Sequence, residues 1–189
     1  KAGRTLMEQA ILEAKSMYSK KVSDDATPKP MLAEDYTKHG HKMPTKVLVQ
    51  PKLDGVRMVV RMNDDRTLSM FSRTGKEVTN MGHLEKDLKS FLKPGDIIDG
   101  EVYDPEITFE EISGKFRKNS SNILKYFVFD TFGDDHHVTR HISRDDMKYV
   151  KYVETRMISK GDVDKYHDVY AQQGYEGIMV RDPSAPYVS

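Results

Sequence analysis

The chain has 189 residues, 37% hydrophobic and 32% charged, with 30 basic and 30 acidic side chains that cancel. That length supports one domain with a substantial core, the absence of cysteine excludes disulfides and thiolate zinc sites, and no apolar run approaches the roughly 18 residues a membrane span needs. Locally the charges do not balance: residues 1–52 hold 10 Lys/Arg against 6 Asp/Glu and the rest 20 against 24, so the first part is mildly basic and suited to a polyanion.

The first residue is Lys1 rather than Met, which points to a fragment or a disordered start, and no secretory leader is visible. GRTLMEQAILEAKSMYSKK reads as a helix: Thr5 and Glu8 have capping-box spacing, and Leu6, Ala10, Ala14 and Met17 form one apolar face. VSDDATPKP, residues 22–30, reads as a linker, and MLAEDYTKHGHKMPTK as irregular or a short helix. From residue 46 the pattern turns to strands: KVLVQPKL, VRMVVRM, TLSMFSR, DIIDGEVYD, NILKYFVFDTF and YEGIMVRD. HLEKDLKSFL, TFEEISGKFRK and SKGDVDKYHDVYAQQG are the helices between them, the last stopped by Gly174. Several strands follow one another through short turns, so the chain is expected to be α+β with antiparallel sheets rather than a βαβ series. DDHHVTRHISRDD reads as an exposed loop or a gapped stretch; His136, His137 and His141 lie in it, but no helix or carboxylate motif frames them as metal ligands.

The most informative stretch is LVQPKLDGVRMVVRM, residues 48–62. A strand interior disfavours Pro, Asp and Gly, yet Pro51, Asp54 and Gly55 interrupt an apolar run around Lys52. Taken alone this is either a turn with solvated Lys52 and Arg57, or a lysine held at the mouth of a sheet. Four further motifs follow in order: SRTGKE at 72–77, DGE at 99–101, YFVFD at 126–130 and EGIMVR at 176–181. SRTGKE lacks the spacing of a phosphate-binding P-loop.

This series resembles the successive motifs of the covalent nucleotidyltransferase superfamily, the group of ATP-dependent DNA ligases, RNA ligases and messenger-RNA capping enzymes. PMLAEDY at 30–36 and GYEGIMVRDPSAPY at 174–187 are most similar to the DNA ligase branch, especially small viral and phage ligases. The resemblance covers residues 30–189 and implies two packed antiparallel sheets flanked by helices, an ATP-grasp-like nucleotidyltransferase (adenylation) domain. Residues 1–29 would be a preceding helix and linker.

The resemblance also implies roles. Lys52 would be the nucleophile that takes AMP from ATP. A free lysine is deprotonated in only about 1 in 2,500 molecules at pH 7, so it must be desolvated or set beside positive charge. Gln50 would recognise the adenine edge, Arg57 the ribose or phosphate, Arg73 the ribose or the nicked-strand phosphate, and Glu101 the ribose; Phe129 would stack on the purine. Asp99, Glu101 and Glu176 would support a divalent metal, Mg2+ or Mn2+. Arg73, Lys115, Arg117 and Lys118 are candidate contacts to nicked duplex DNA. The protein would act as a monomer inside the cell, at DNA, without a membrane, and would be viral or phage-encoded.

Each role has a plain alternative. Asp99 and Glu101 share one strand face and repel unless a cation or solvent separates them. Phe129 alternates with Val128 as core would, Arg73 could be a turn residue, and GKFRKN at 114–119 a solvated loop. Gly100 and Gly177 either admit a ligand close to the backbone or mark bulges. The family carries a further lysine motif after APY and an oligonucleotide-binding barrel; the chain ends at Ser189, so the expected unit is an adenylation domain cut short. Alternatives are an RNA ligase or GTP-using capping enzyme of the same superfamily, or a non-catalytic nucleotide- or DNA-binding module. An NAD-dependent ligase would need a preceding nicotinamide-gripping domain, which residues 1–51 do not resemble.

Overall fold

Pro51 sits inside a strand without breaking a ladder. Strand β1 (Lys46–Lys52) pairs with β7 (Arg156–Ser159) only as far as Val49. Beyond that it faces β8 (Gly177–Arg181) alone, with Pro51 opposite Ile178, so one side needs no donor from residue 51. The computed structural model describes residues 27–118, 123–133 and 147–187. The helix expected before residue 22, most of the linker at 22–30 and the stretch 134–146 lie outside them.

Two sheets result. Sheet A has the order β7-β1-β8 and is antiparallel. Sheet B has the order β3-β2-β4-β5-β6, built from β2 (Val56–Met62), β3 (Leu68–Ser72), β4 (Ile97–Tyr103), β5 (Lys125–Thr131) and β6 (Val150–Tyr152). Its first four strands are antiparallel, as expected; β6 is parallel to β5 and makes the sheet mixed, a departure from the expected all-antiparallel arrangement. Residues 132–149 join them, long enough for the return that a parallel pair requires. With 3 and 4 residues, β6 and β7 are too short to show a period in sequence.

Helices cover the outer faces. The 3-10 turn Gly82–Leu84 leads into α2 (Glu85–Lys89), and α3 (Phe109–Arg117) begins at a complete capping box of Thr108 and Glu111. Met81, Leu84, Leu88, Leu92 and Ile112 from these segments pack on Met58, Val60, Ile98, Val102, Tyr126 and Val128 of sheet B. On sheet A, Val163 and Tyr170 of α4 (Val163–Gln172) pack against Val47, Val49 and Ile158. Each such buried side chain contributes about 1.5–3 kcal/mol. The short α1 (Tyr36–His39), capped by Asp35, lies ahead of β1 where a short helix or irregular segment is expected.

Alternation then dictates the inner faces. If Met58, Val102, Tyr126 and Val128 point outward to helices, then Arg57, Glu101 and Phe127 point the other way. Likewise Val47 and Val49 turn toward α4, which turns Gln50 and Lys52 inward. The two sheets are joined by residues 53–55. Gly55 is required there: a Cβ would lie 2.2 Å from the Val102 carbonyl oxygen.

Candidate active site

Lys52 is the last residue of β1, where the chain crosses from sheet A to sheet B. Its Nζ is 3.2 Å from Glu176 Oε1, and both side chains are about half exposed, 48% and 50%. Glu176 is delivered by the turn after α4, because Lys52 lies opposite its neighbour Gly177 in the ladder. The lysine is therefore at the mouth of a cleft of about 1730 Å³ whose walls include Gln50, Arg57, Arg73, Glu101, Phe129 and Glu176.

A bulge organises the floor. In the pairing of β4 with β5, Gly100 faces Val128 and Asp99 faces Asp130, which leaves Phe129 as the extra residue. Gly100 is obligatory at this bulge: a Cβ would come within 2.4 Å of the Phe127 carbonyl oxygen and 2.8 Å of the Tyr126 ring. That ring is fixed by its hydroxyl, which donates to the Met58 carbonyl at 2.7 Å. Of the two readings of Gly100, the bulge is the one realised. The extra residue also shifts Asp130 to the side of Asp99, so two fully buried carboxylates lie abreast.

Two arginines meet them. Arg57 Nε and Nη2 reach Asp99 Oδ1 at 3.1 Å and Oδ2 at 2.6 Å, and Nη2 also donates to the Met31 carbonyl at 2.5 Å. Arg181 Nη1 lies 3.4 Å from Asp130 Oδ2. Both guanidiniums lie over the Phe129 ring, at 5.4 and 5.2 Å from its centroid. Burial opposes the Arg57 charge, but Asp99 outweighs it and lifts Arg57 above the ordinary arginine range. Burial lowers Arg181, with Asp130 and Asp99 opposing.

Glu101 is different. Burial pushes its carboxyl up to about 8, with Asp99 and Asp54 adding to the rise; Arg57 and the Gly55 N–H hold it back. The repulsion expected between Asp99 and Glu101 is thus relieved by a guanidinium and by a retained proton.

Gln50 is 1% exposed. Its Nε2 donates to the Phe129 carbonyl and to Thr155 Oγ1, both at 2.9 Å, and its Oε1 accepts from Arg181 Nε at 2.7 Å. Both amide protons are engaged; the oxygen keeps one lone pair.

The structure thus brings Gln50, Lys52, Arg57, Asp99, Glu101, Phe129 and Glu176 together, with Arg73 on the cleft wall in an exposed turn. Arg117 also lines the cleft; Lys115 and Lys118 sit at the same end of α3 but off its wall. Asp99, expected to help a metal, has both oxygens on Arg57, and Oδ2 also accepts from the Tyr187 hydroxyl at 2.5 Å. The sequence reading did not single out Arg181, Asp130, Thr155 or Tyr187. Arg181, Asp130 and Tyr187 close EGIMVR, YFVFD and APY, so motif ends were the available signal; Thr155 carried none.

A family model described as the ATP dependent DNA ligase domain matches residues 30–189. The DNA ligase of a Kenyan pig isolate of African swine fever virus is 27% identical over 213 aligned residues, covering 99% of this chain and 51% of the viral protein. The solved Chlorella virus DNA ligase-adenylate superposes with TM-score 0.62 at 22% identity, covering 86% of this chain and 62% of that one. The ATP-dependent DNA ligase from bacteriophage T7, in complex with ATP, gives TM-score 0.61 at 16% identity, covering 85% and 64%. The two structures support the fold. This chain belongs to the ATP-dependent DNA ligase domain family, and it spans about half the length of the curated relatives it matches.

Proposed function

We propose that this family member is the adenylation domain of an ATP-dependent DNA ligase, with Lys52 as its nucleophile. The observation that carries the reading is the placement of Lys52 at the seam of the two sheets, 3.2 Å from Glu176 and in one cleft with Arg57 and Glu101. Lys52 Nζ loses a proton, for which Glu176 is the nearest acceptor, and attacks the α-phosphorus of ATP. The N–P bond forms as the bond to the pyrophosphate oxygen breaks. A 5′-phosphate oxygen at a nick then attacks the same phosphorus and restores the lysine. Finally the 3′-hydroxyl attacks the activated 5′-phosphate, releasing AMP and sealing the strand.

The remaining residues divide by chemistry. Gln50 offers a base only an acceptor, which suits the 6-amino group of adenine and not the 6-oxo group of guanine. This favours ATP over the GTP of a capping enzyme. Arg57 faces ribose or phosphate, and Phe129 offers a partly exposed ring to the purine. Glu101 and Glu176 fit a magnesium ion, which takes one or two carboxylates and completes its shell with phosphates and water; Asp99, engaged by Arg57, does not. When bound, that ion supplies charge neutralisation at the phosphates. The cleft exceeds the roughly 300–1,000 Å³ of ordinary small-molecule sites, leaving room beside a nucleotide for a DNA end. Arg73 and Arg117 on its wall, with Lys115 and Lys118 beyond, would hold the phosphate backbone in a salt-dependent, sequence-independent manner. The protein would work as a monomer at DNA inside the cell; no helix among the described residues is long and apolar enough to cross a membrane.

The test is intact mass. The natural-length protein incubated with ATP and magnesium should gain one adenylate, and Lys52→Ala should gain none. No adduct on the wild type, or an adduct that survives Lys52→Ala, overturns the reading. Nicked all-DNA and RNA-containing duplexes then separate the ligase classes: sealing of RNA alone would favour an RNA ligase.

A further inference from the structure

The proton count on Arg57 leads beyond this reading. A guanidinium has five N–H groups. Asp99 takes the Nε proton and one from Nη2, and the Met31 carbonyl takes the other Nη2 proton. The two on Nη1 have no partner among the described residues, so a ligand meets Arg57 through Nη1. Where Nη1 points is set by Asp99 and Met31, and both of these are held by one further group. The Tyr187 hydroxyl donates to Asp99 Oδ2 at 2.5 Å and accepts from the Met31 N–H at 2.8 Å. Its ring is stacked on Phe132, centroids 4.0 Å apart and planes 26° from parallel. Asp99 is fully buried, so a carboxylate oxygen deprived of that donor has no water to replace it.

We propose that Tyr187 is a positioning residue for Arg57: through Asp99 and Met31 it fixes the guanidinium so that Nη1 faces the bound nucleotide. Resting on the function proposed above, this assigns a role in nucleotide binding to a residue in the segment after β8, outside the five motifs. Tyr187 touches neither ATP nor Lys52. It acts on affinity through Arg57 and leaves the chemistry at Lys52 in place. The arrangement couples the chain beyond sheet A to a side chain on sheet B, since Tyr187 follows β8 and Arg57 belongs to β2.

A double-mutant cycle on the natural-length protein tests this, using Tyr187→Phe, Arg57→Lys and both together. The readouts are the Kd of ATP without divalent metal, by calorimetry, and the rate of Lys52 adenylate formation at saturating ATP. Tyr187→Phe should weaken ATP binding about tenfold, the scale of one hydrogen bond to a charged group, and leave the saturated rate within about twofold. In the Arg57→Lys background the same substitution should change Kd by less than about twofold, because the residue it acts through is gone. Equal penalties in both backgrounds, or a saturated rate that falls with affinity intact, overturn the proposal. If Tyr187→Phe does not fold, Phe132→Leu, which loosens the ring and keeps the hydroxyl, replaces it in the cycle with the same coupling required. A wild type that binds no ATP would sink the proposed function as well; additive penalties on a wild type that binds would sink this inference alone.

Discussion

Glu101 makes a sharp pH prediction. Its carboxyl is raised to about 8 in the folded protein, first by burial and then by Asp99 and Asp54, against an ordinary value of 4.5. Below 4.5 both folded and unfolded chains carry the proton and the group is neutral to stability. Above 4.5 the unfolded chain releases it while the folded chain retains it, so stability falls as pH rises until about 8. The limiting slope is about 1.4 kcal/mol per pH unit, and the full gap corresponds to an upper bound of ~5 kcal/mol. Glu101→Gln keeps the shape and the neutral form at every pH, so it abolishes this term. Urea unfolding is the assay, followed by far-ultraviolet circular dichroism because the chain has no tryptophan. The substitution should be nearly neutral at pH 4 and stabilising by about 2–4 kcal/mol at pH 8. A difference between the two proteins that stays constant within about 0.5 kcal/mol from pH 5 to 8 refutes the argument. Magnesium should narrow the gap at pH 8 by stabilising the wild type selectively.

Further outcomes follow from the same geometry. Gly100→Ala should destabilise by about 3 kcal/mol or more, since its Cβ meets backbone and a fixed ring. Gly177→Ala meets nothing nearer than His167 Nε2 at 3.7 Å, and a urea midpoint within about 1 kcal/mol of wild type is expected. Arg181→Met should cost about 3–5 kcal/mol by leaving the buried Asp130 without its guanidinium; an unchanged midpoint would show that the ion pair is not formed in solution. Arg73→Ala and Arg117→Ala should each reduce the slope of log affinity for DNA against log salt by about 0.9, whereas Lys115→Ala should change it less.

The elements that sequence exposed were those with a long period or a punctuating residue. The first four strands of sheet B are 5–7 residues each with alternating or continuous apolar runs, and α3 falls within the helix-like run TFEEISGKFRK. The edge strands β6 and β7 take their shape from pairing with β5 and β1, which no local pattern encodes. The site divided in the same way. Lys52, Glu101 and Glu176 were legible as motif residues, but the partners of Gln50 and Asp99 were not. Those partners come from residues 42–131 positions away in the chain or from a bulge that a strand pattern hides.

The bulge also bears on why two partly buried arginines and two buried aspartates lie close to Lys52. A quartet of charges withdrawn largely from water is an inefficient stabiliser, because apolar residues of equal volume often serve as well. What charges supply and apolar residues do not is direction. In the bulged register Asp130 lies abreast of Asp99, and the unpaired Phe129 carbonyl accepts from Gln50. Arg181 then reaches Gln50 and Asp130 together, and Arg57 is gripped along one edge. Under the proposed function, Gln50 would thereby show a base an acceptor alone, and Arg57 would show a ligand Nη1 alone. Removing the extra residue would leave Asp130 opposite Asp99 in an unbulged ladder, but would take away both the ring that lies under the two guanidiniums and the carbonyl that accepts from Gln50. Deletion of Phe129 should therefore abolish ATP binding by calorimetry even in a chain that still folds, while Phe129→Leu, which keeps the bulge and its carbonyl, should retain binding at reduced affinity. Equal loss in both variants would assign the effect to the ring and refute a role for the bulge.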